Sequence, residues 1–382
     1  MRFMHLSDLH IGLRLIGRDL TEDQRYILTQ IAQMAAQQKP DAVVIAGDLY
    51  DKAIPSAEAV EVFDNFVSEL TEAVPDAEIM MISGNHDSAV RINTYRSLLS
   101  RQKVHMIGMP PQSPEETIEK VVLRDAYGNV NFYLLPFVKP SVVRAVVGTQ
   151  QDERALSYDE SVRRLLAREE IDPGERNVLV SHQFYLPVGT DPAQVERMDS
   201  EIITVGNIDE VRADVLAPFD YAALGHIHKP MRVGSDVYRY CGTPLAVSVS
   251  EAGQEKGVIM VEMGQKGDVS VSVLPLTPLR QVRIIRGTLE EVLGQACDDY
   301  VRIVLTDTVD LDVIDMQADL RAAFPYLLEI RRETAFAPDY TVTFSEEEAL
   351  DPFGLCCSFL PEITEAEREI LQDVINTVSK YS

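Results

Sequence analysis

The first hundred residues alternate short aliphatic or β-branched runs with stretches whose apolar positions recur every three or four residues. Arg2–Ser7, Asp41–Ala46 and Glu78–Ser83 read as strands, and Thr21–Gln38 and Ser56–Ala73 as helices, the first opened by a Thr21/Gln24 capping box. A βαβαβ series of this kind calls for parallel strands with right-handed crossovers. An unbroken apolar run such as Ala42-Val43-Val44-Ile45-Ala46 belongs to a strand buried on both faces. A further helix is expected over Ser88–Ser100. From about residue 118 the helices thin out, leaving one near Tyr158–Glu169. Strand-like runs follow at Ile118–Leu123, Val130–Leu135, Asn177–Val180, Tyr221–Leu224, Tyr238–Cys241, Leu245–Ser250, Gly257–Val261 and Val269–Leu274. The expected fold class is α/β, with two packed sheets and helices outside them.

Thr277-Pro278 punctuates the chain. Beyond it, Gln281–Arg286, Leu289–Cys297, Val301–Thr306, Leu311–Phe324 and Leu327–Arg332 read as a compact βαβαβ unit, which we expect to form a small separate α/β domain. Ala337-Pro338-Asp339 then leads into an acidic tail. Its last helix opens with a Thr364/Glu367 capping box and carries the apolar stripe Ile370, Leu371, Val374, Ile375 and Val378. The expected division is 1–278, 279–336 and 337–382.

Composition narrows the class. Of 382 residues, 46% are hydrophobic and 25% charged, as in folded globular chains, which excludes disorder as the main state. No window reaches the ~18 uninterrupted apolar residues of a membrane span, and the N-terminus enters a strand pattern without a signal-peptide core, so a cytoplasmic location is expected. Cys241, Cys297, Cys356 and Cys357 show no CxxC spacing, and they read as small side chains rather than a zinc ribbon or a disulfide framework. The net charge of −26 repels polyanions at long range, and residues 339–382, with two basic against ten acidic side chains, are the densest in acid. A nucleic-acid role would therefore require metal ions, a local basic surface or a more basic partner.

The chemistry-bearing residues gather where strands end. Strand by strand, these are Asp8-Leu9-His10, Gly47-Asp48-Leu49-Tyr50-Asp51, Gly84-Asn85-His86-Asp87, Ser181-His182 and Gly225-His226-Ile227-His228. In open α/β sheets ligands bind beyond the carboxyl ends of the strands, so these five clusters would converge. Residues i and i+2 of an extended segment point the same way, which lets Asp8 with His10, and His226 with His228, each direct two donors into one cavity. Carboxylate, imidazole and amide oxygen form a mixed N/O set suited to Mn, Fe or Zn. Seven donors are too many for one ion, whereas two ions bridged by a carboxylate would use them and clamp the attacking and leaving oxygens of a phosphate ester. Asp87 reads as a turn or supporting residue, and His5 and His105 as core or surface residues.

The ordered series DxH, GDxxD, GNHD, SH and GHxH resembles the calcineurin-like metallophosphoesterases, which implies an α/β/β/α two-sheet sandwich. Within them, SDLHIG, GDLYDKAIPS and YCGTP after GHIHKP, with the extra unit and tail, make the chain similar to the SbcD-like nuclease subunits of bacterial double-strand-break repair complexes. The resemblance implies Asp8, His10 and His228 on one metal, Asn85, His182 and His226 on the other, and Asp48 between them. It also implies His86 facing the scissile phosphate as a general acid. Asp51 stands where archaeal and eukaryotic relatives carry a histidine, and orienting His86 is the role expected of it. The implied cofactors are two Mn2+ ions. The implied activity is exonuclease and endonuclease cleavage of DNA ends and hairpins by a homodimer, with an SbcC-like ATPase bound through the C-terminal segment.

Cations flank three of the motif loops: Arg14 and Arg18 after DLH, Arg91 and Arg96 after GNHD, and Lys229 and Arg232 after GHIH. These are the candidate phosphate contacts. Two other readings are weighed beside the nuclease. One is a phosphoesterase acting on small phosphodiesters or nucleotides, which would have no need of residues beyond 280. The other is a catalytically silent scaffold, whose signature would be a missing ligand, and none is missing.

Overall fold

The computed structural model describes residues 1–94, 96–149, 152, 155–190, 209–307 and 313–333, with six further positions between 364 and 375. Two six-stranded sheets carry the architecture. The first runs in the order Val269–Pro275, Gly257–Met263, Arg2–Leu6, Ala42–Ala46, Glu78–Ile82, Val104–Ile107. Its last four strands are parallel, and the pair Gly257–Met263 and Val269–Pro275 is added antiparallel to Arg2–Leu6. The second sheet runs Met231–Arg232, Tyr238–Tyr240, Tyr221–Gly225, Arg176–His182, Gly128–Leu135, Glu119–Asp125, with its four central strands parallel.

Between the sheets lies a dry layer built from alternate residues of both, including Phe3, Val44, Met80, Phe132, Val178, Val180 and Tyr221. The outer face of the first sheet is covered by the helices Thr21–Gln38 and Ala57–Ala73, and that of the second by Pro140–Val147 and Tyr158–Leu166. This is the α/β/β/α sandwich. Burial on both faces explains why Ala42–Ala46 and Tyr221–Gly225 read as continuous apolar runs rather than alternating ones. Val282–Gly287, Tyr300–Leu305 and Leu327–Arg332 form a separate three-stranded sheet with its own core around Ile285, Val301, Ile303, Leu320 and Phe324.

Several expectations are corrected. No capping box forms at Thr21/Gln24, because Gln24 is buried and its amide is used elsewhere; the Thr21 N–H donates instead to Asp19 Oδ1 at 2.8 Å. Ser88–Ser100 is broken into the short helices Ala89–Ile92 and Arg96–Leu99. Leu245–Ser250 is not a strand. After Gly242, at φ 77°, and Pro244, the chain leaves the sheet, buries Leu245 and Val249 in the first outer core and ends in the single turn Val249–Glu251. The edge strand Val104–Ile107 and the helix Pro140–Val147 are additions the pattern reading did not assign. The Thr364/Glu367 box is present, with Glu367 Oε2 accepting from the Thr364 N–H at 2.8 Å. Val374, Val378, Cys356, Cys357 and the linker at 337–339 lie outside the described residues.

Arg176 begins a central strand of the second sheet and is 2% exposed. Its guanidinium donates to both oxygens of Asp125, at 3.0 and 2.5 Å, and to the carbonyls of Gly128 and Gly264. The Arg176 hydrogen bond holds the Asp125 carboxyl well below the usual carboxylate range. That group thus stabilises the fold above its unfolded value of about 3.9 and stops doing so as the pH falls through the folded value. Asp125→Asn, which strands a buried guanidinium, is expected to cost about 3 kcal/mol at neutral pH. Urea denaturation checks this, with the gap to wild type narrowing as the pH drops below about 4.

Candidate metal centre

Every cluster singled out in the sequence lies at the carboxyl end of a parallel strand, and the two sheets present those ends to one cavity. His182 closes its own strand, paired with Gly225 at the end of the next, and its Nδ1 donates across to the carbonyl of Ala46, the last residue of a first-sheet strand, at 2.8 Å. That bond joins the two sheets and fixes the tautomer, leaving Nε2 to face the cavity.

Around it the donors converge. His182 Nε2 lies 3.0 Å from Asn85 Oδ1 and 3.3 Å from Asp48 Oδ2, and His226 Nδ1 lies 2.9 Å from the same Asn85 oxygen. On the other side His10 Nε2 faces His228 Nε2 at 3.1 Å and Asp48 Oδ2 at 3.6 Å. Asp8, His10 and His228 form one triplet of mutually close donor atoms, and Asp8, Asp48 and His182 form another. With His10 also grouped with Asp48 and His86, and Asp48 Oδ2 within reach of both His10 and His182, Asp48 stands between two groups of donors. All seven residues expected as metal ligands are brought together, and all but the partly exposed Asn85 are buried.

The backbone of these loops is held in conformations it would not adopt unaided. Asp8, His10, Asp48 and His226 sit at φ values of 54°, 44°, 50° and 103°, a region that costs non-glycine residues about 1–3 kcal/mol each and persists only where the surroundings enforce it. Gly84 and Gly225 permit the close packing. A Cβ on Gly84 would fall 2.1 Å from Asp48 Oδ1, and one on Gly225 would fall 1.9 Å from the Ala46 carbonyl oxygen.

Burial and charge pairing compete at these groups. Burial lifts the Asp8 carboxyl above its ordinary value despite the facing imidazoles. Burial also works to raise Asp48, but His182 and His10 outweigh it and hold that carboxyl below the usual range. Burial works against charge on His182, yet the two carboxylates lift it to about 9, and burial drives His10 well below its ordinary value. The donor set, all oxygen and imidazole nitrogen, fits a divalent ion of the Mn, Fe or Zn class.

His86 borders the same space, its ring 4.8 Å from that of His10. Its N–H donates to Asp48 Oδ1 at 2.9 Å and its Nδ1 donates to the Asp51 carbonyl at 2.9 Å, which presents Nε2. Asp51 thus meets His86 through its main chain. Asp87 ties two motif loops together, accepting from the N–H groups of Leu49, Tyr50 and Gly84 at 2.9–3.0 Å.

Gln24 locks the DLHIG loop by donating to the His10 carbonyl at 2.7 Å and accepting from the Gly12 N–H at 2.9 Å. No spacing rule marks it, since its partners lie 12 and 14 residues away. Glu251 and Lys256, which stand behind His228, likewise belong to no motif. His5 is a core residue held by Tyr221 and Leu224, and His105 pairs with Glu78.

The candidate phosphate contacts do not share one environment. Arg14, Arg18, Arg91 and Arg232 are exposed, but Arg18 donates to the carbonyls of Pro325 and Leu327, Arg232 pairs with Asp236, and the half-buried Arg96 pairs with Glu119. Lys229 is half-buried.

The chain is similar to known proteins. The calcineurin-like phosphoesterase family matches residues 1–230. The chain is 30% identical over 355 residues to the SbcD subunit of the nuclease SbcCD from Staphylococcus epidermidis, covering 91% of this chain and 89% of that one. Two solved structures also show a likeness. One is TT1561 of Thermus thermophilus, at 12% identity, TM-score 0.40, and 71% of this chain against 98% of that one. The other is a dimetal phosphatase from Danio rerio, at 14%, 0.41, and 74% against 99%.

Gly84→Ala is expected to displace Asp48 and abolish uptake of divalent metal while circular dichroism stays native; calorimetric titration with Mn2+ checks it. The converging donors, the family match over residues 1–230 and the long alignment to a curated nuclease component place the chain in the calcineurin-like phosphoesterase family, among the SbcD nucleases, as a metal-dependent phosphodiester hydrolase.

Proposed function

We propose that the chain is a DNA phosphodiesterase with exonuclease and endonuclease activity, loaded with two Mn2+ ions and working on DNA ends and hairpins with an SbcC-like ATPase. The observation that carries the two-ion reading is the position of Asp48 between the Asp8, His10, His228 triplet and the Asn85, His182, His226 side. Divalent ions held there would polarise the phosphoryl group and neutralise charge developing on its oxygens.

The chain's own residues do the rest. Asp48 accepts the His86 N–H and so fixes the loop that carries the imidazole. The Asp51 carbonyl accepts a hydrogen bond from His86 Nδ1–H, which aims Nε2 outward, where the imidazolium form would hand its Nε2 proton to the leaving oxygen and remain as neutral imidazole. In this reading Asp51 orients His86 through its main-chain carbonyl. Arg14 and Arg91 are the exposed cations best able to meet a phosphate backbone. Against a net charge of −26 they supply little grip, which supports a partner that provides most of the DNA binding.

The relative's name pairs it with a second subunit, and we carry that pairing to this chain through residues 337–382. We further propose a homodimer in the cytoplasm and a capping role for residues 279–336. Among the described residues no helix is long and apolar enough to cross a membrane. The strongly acidic balance also favours a second reading, a phosphoesterase of small phosphodiesters that never meets a polyanion.

Cleavage of linear duplex, hairpin DNA and bis-p-nitrophenyl phosphate with Mn2+ separates the two. His86→Ala is expected to lower DNA turnover by roughly 10²–10⁴ with metal binding intact, and Asp48→Ala to lose both. Undiminished DNA cleavage by either variant, or turnover of the small diester alone by wild type, overturns the nuclease reading. Co-purification with a coiled-coil ATPase subunit is expected of the full chain and not of a chain ending at Ala337; equal retention of both would remove the tail from that role.

A further inference from the structure

His228 is backed by a charged cluster buried as deeply as the centre itself. Glu251 is 1% exposed, Lys256 6%, Thr243 0% and His228 2%. Glu251 Oε1 lies 3.5 Å from His228 Nδ1, the nitrogen turned away from the cavity. Its other oxygen accepts from Lys256 Nζ at 2.6 Å and from Thr243 Oγ1 at 2.8 Å. Lys256 Nζ also donates to the His228 carbonyl at 3.3 Å and to Gln254 Oε1 at 3.0 Å, and the Thr243 N–H donates to the same His228 carbonyl at 3.2 Å. Ring and main chain of one residue are thus gripped by a single connected network.

The network is itself anchored. Glu251 ends the turn Val249–Glu251, and Val249 packs with Leu245 and Val282 in the outer core of the first sheet. Two ions taken out of water carry a heavy desolvation cost, which an apolar pair of similar volume would avoid. What an apolar pair could not do is set the imidazole. A carboxylate at Nδ1 favours the proton on that nitrogen and leaves the Nε2 lone pair to face His10 Nε2. His182 and His86 obtain the same result from the main-chain carbonyls of Ala46 and Asp51.

We propose that Glu251, with Lys256 as its fixed counter-charge, is the positioning residue for His228, holding that imidazole in the tautomer and rotation needed to ligate the cation shared with Asp8 and His10. The proposal rests on the reading of those three residues as one cation's donors.

The test uses the full chain, stripped of metal and titrated with Mn2+ by calorimetry, with urea denaturation of the metal-free protein in parallel. Wild type is expected to bind two ions. The double variant Glu251→Gln/Lys256→Met removes both charges and leaves no lone buried ion. It is expected to keep metal-free stability close to wild type yet weaken one of the two ions by about 10–100-fold, the other holding its affinity. Equal affinities in wild type and variant, or equal weakening of both ions, overturns the positioning role. Should the double variant not fold, Glu251→Asp decides by the same titration, since it keeps a counter-charge for Lys256 while withdrawing it from His228. The same selective loss is expected there, and undiminished binding of both ions overturns the proposal. A wild-type protein that takes up no Mn2+ overturns the reading of the centre, and the positioning role with it.

Discussion

Two buried carboxylates with imidazoles crowded around them are the constraint to which the rest of the molecule answers. Asp8 and Asp48 lie where burial alone would neutralise them, and they are tolerated because main-chain N–H groups and imidazoles face them. The arrangement is costly for a bare protein and favourable for one that holds divalent cations. Left-handed backbone at four of the site residues, close-packed glycines at 84 and 225 and the cross-sheet bond from His182 to Ala46 all hold that cavity against relaxation.

The sandwich makes such a site by topology rather than by loop design. Parallel strands release their carboxyl ends along one edge of each sheet, and stacking two sheets brings those edges side by side. A single sheet would supply only part of the donor set. The apolar layer between the sheets, with Phe3, Phe132 and Tyr221 at its centre, therefore sets the distance between Asp48 on one side and His182 on the other. The geometry of the centre depends in this sense on interior packing.

Charge follows the same logic at a larger scale. A chain at −26 that handles a phosphodiester needs its attraction concentrated, and the cations of the motif loops are partly committed to internal pairs, as Arg96 is to Glu119 and Arg232 to Asp236. Divalent metal ions are a source of positive charge that fits this distribution.

The sequence by itself determined the parallel strands of the first βαβαβ series, the burial of strands such as Ala42–Ala46 and the five polar strand-end clusters that gather at the centre, the choice of seven donors among them being what the family resemblance implies. Each of these is written in local spacing: apolar runs, i and i+2 pairs, and glycines beside acids at strand ends. It misassigned Leu245–Ser250, whose apolar alternation suits a strand and a core-packed loop equally well, and it read Gln24 as a cap because Thr-x-x-Gln is the same string in either use. Only the tertiary structure decided that Gln24 braces the His10 loop, that Asp51 reaches His86 through its carbonyl and that Glu251 and Lys256 stand behind His228. Those partners are separated along the chain by anything from 5 to 35 residues with no repeating interval. A hydrogen bond between such positions has no period to read, and it exists only once the sheets have packed and the loops have closed over one another.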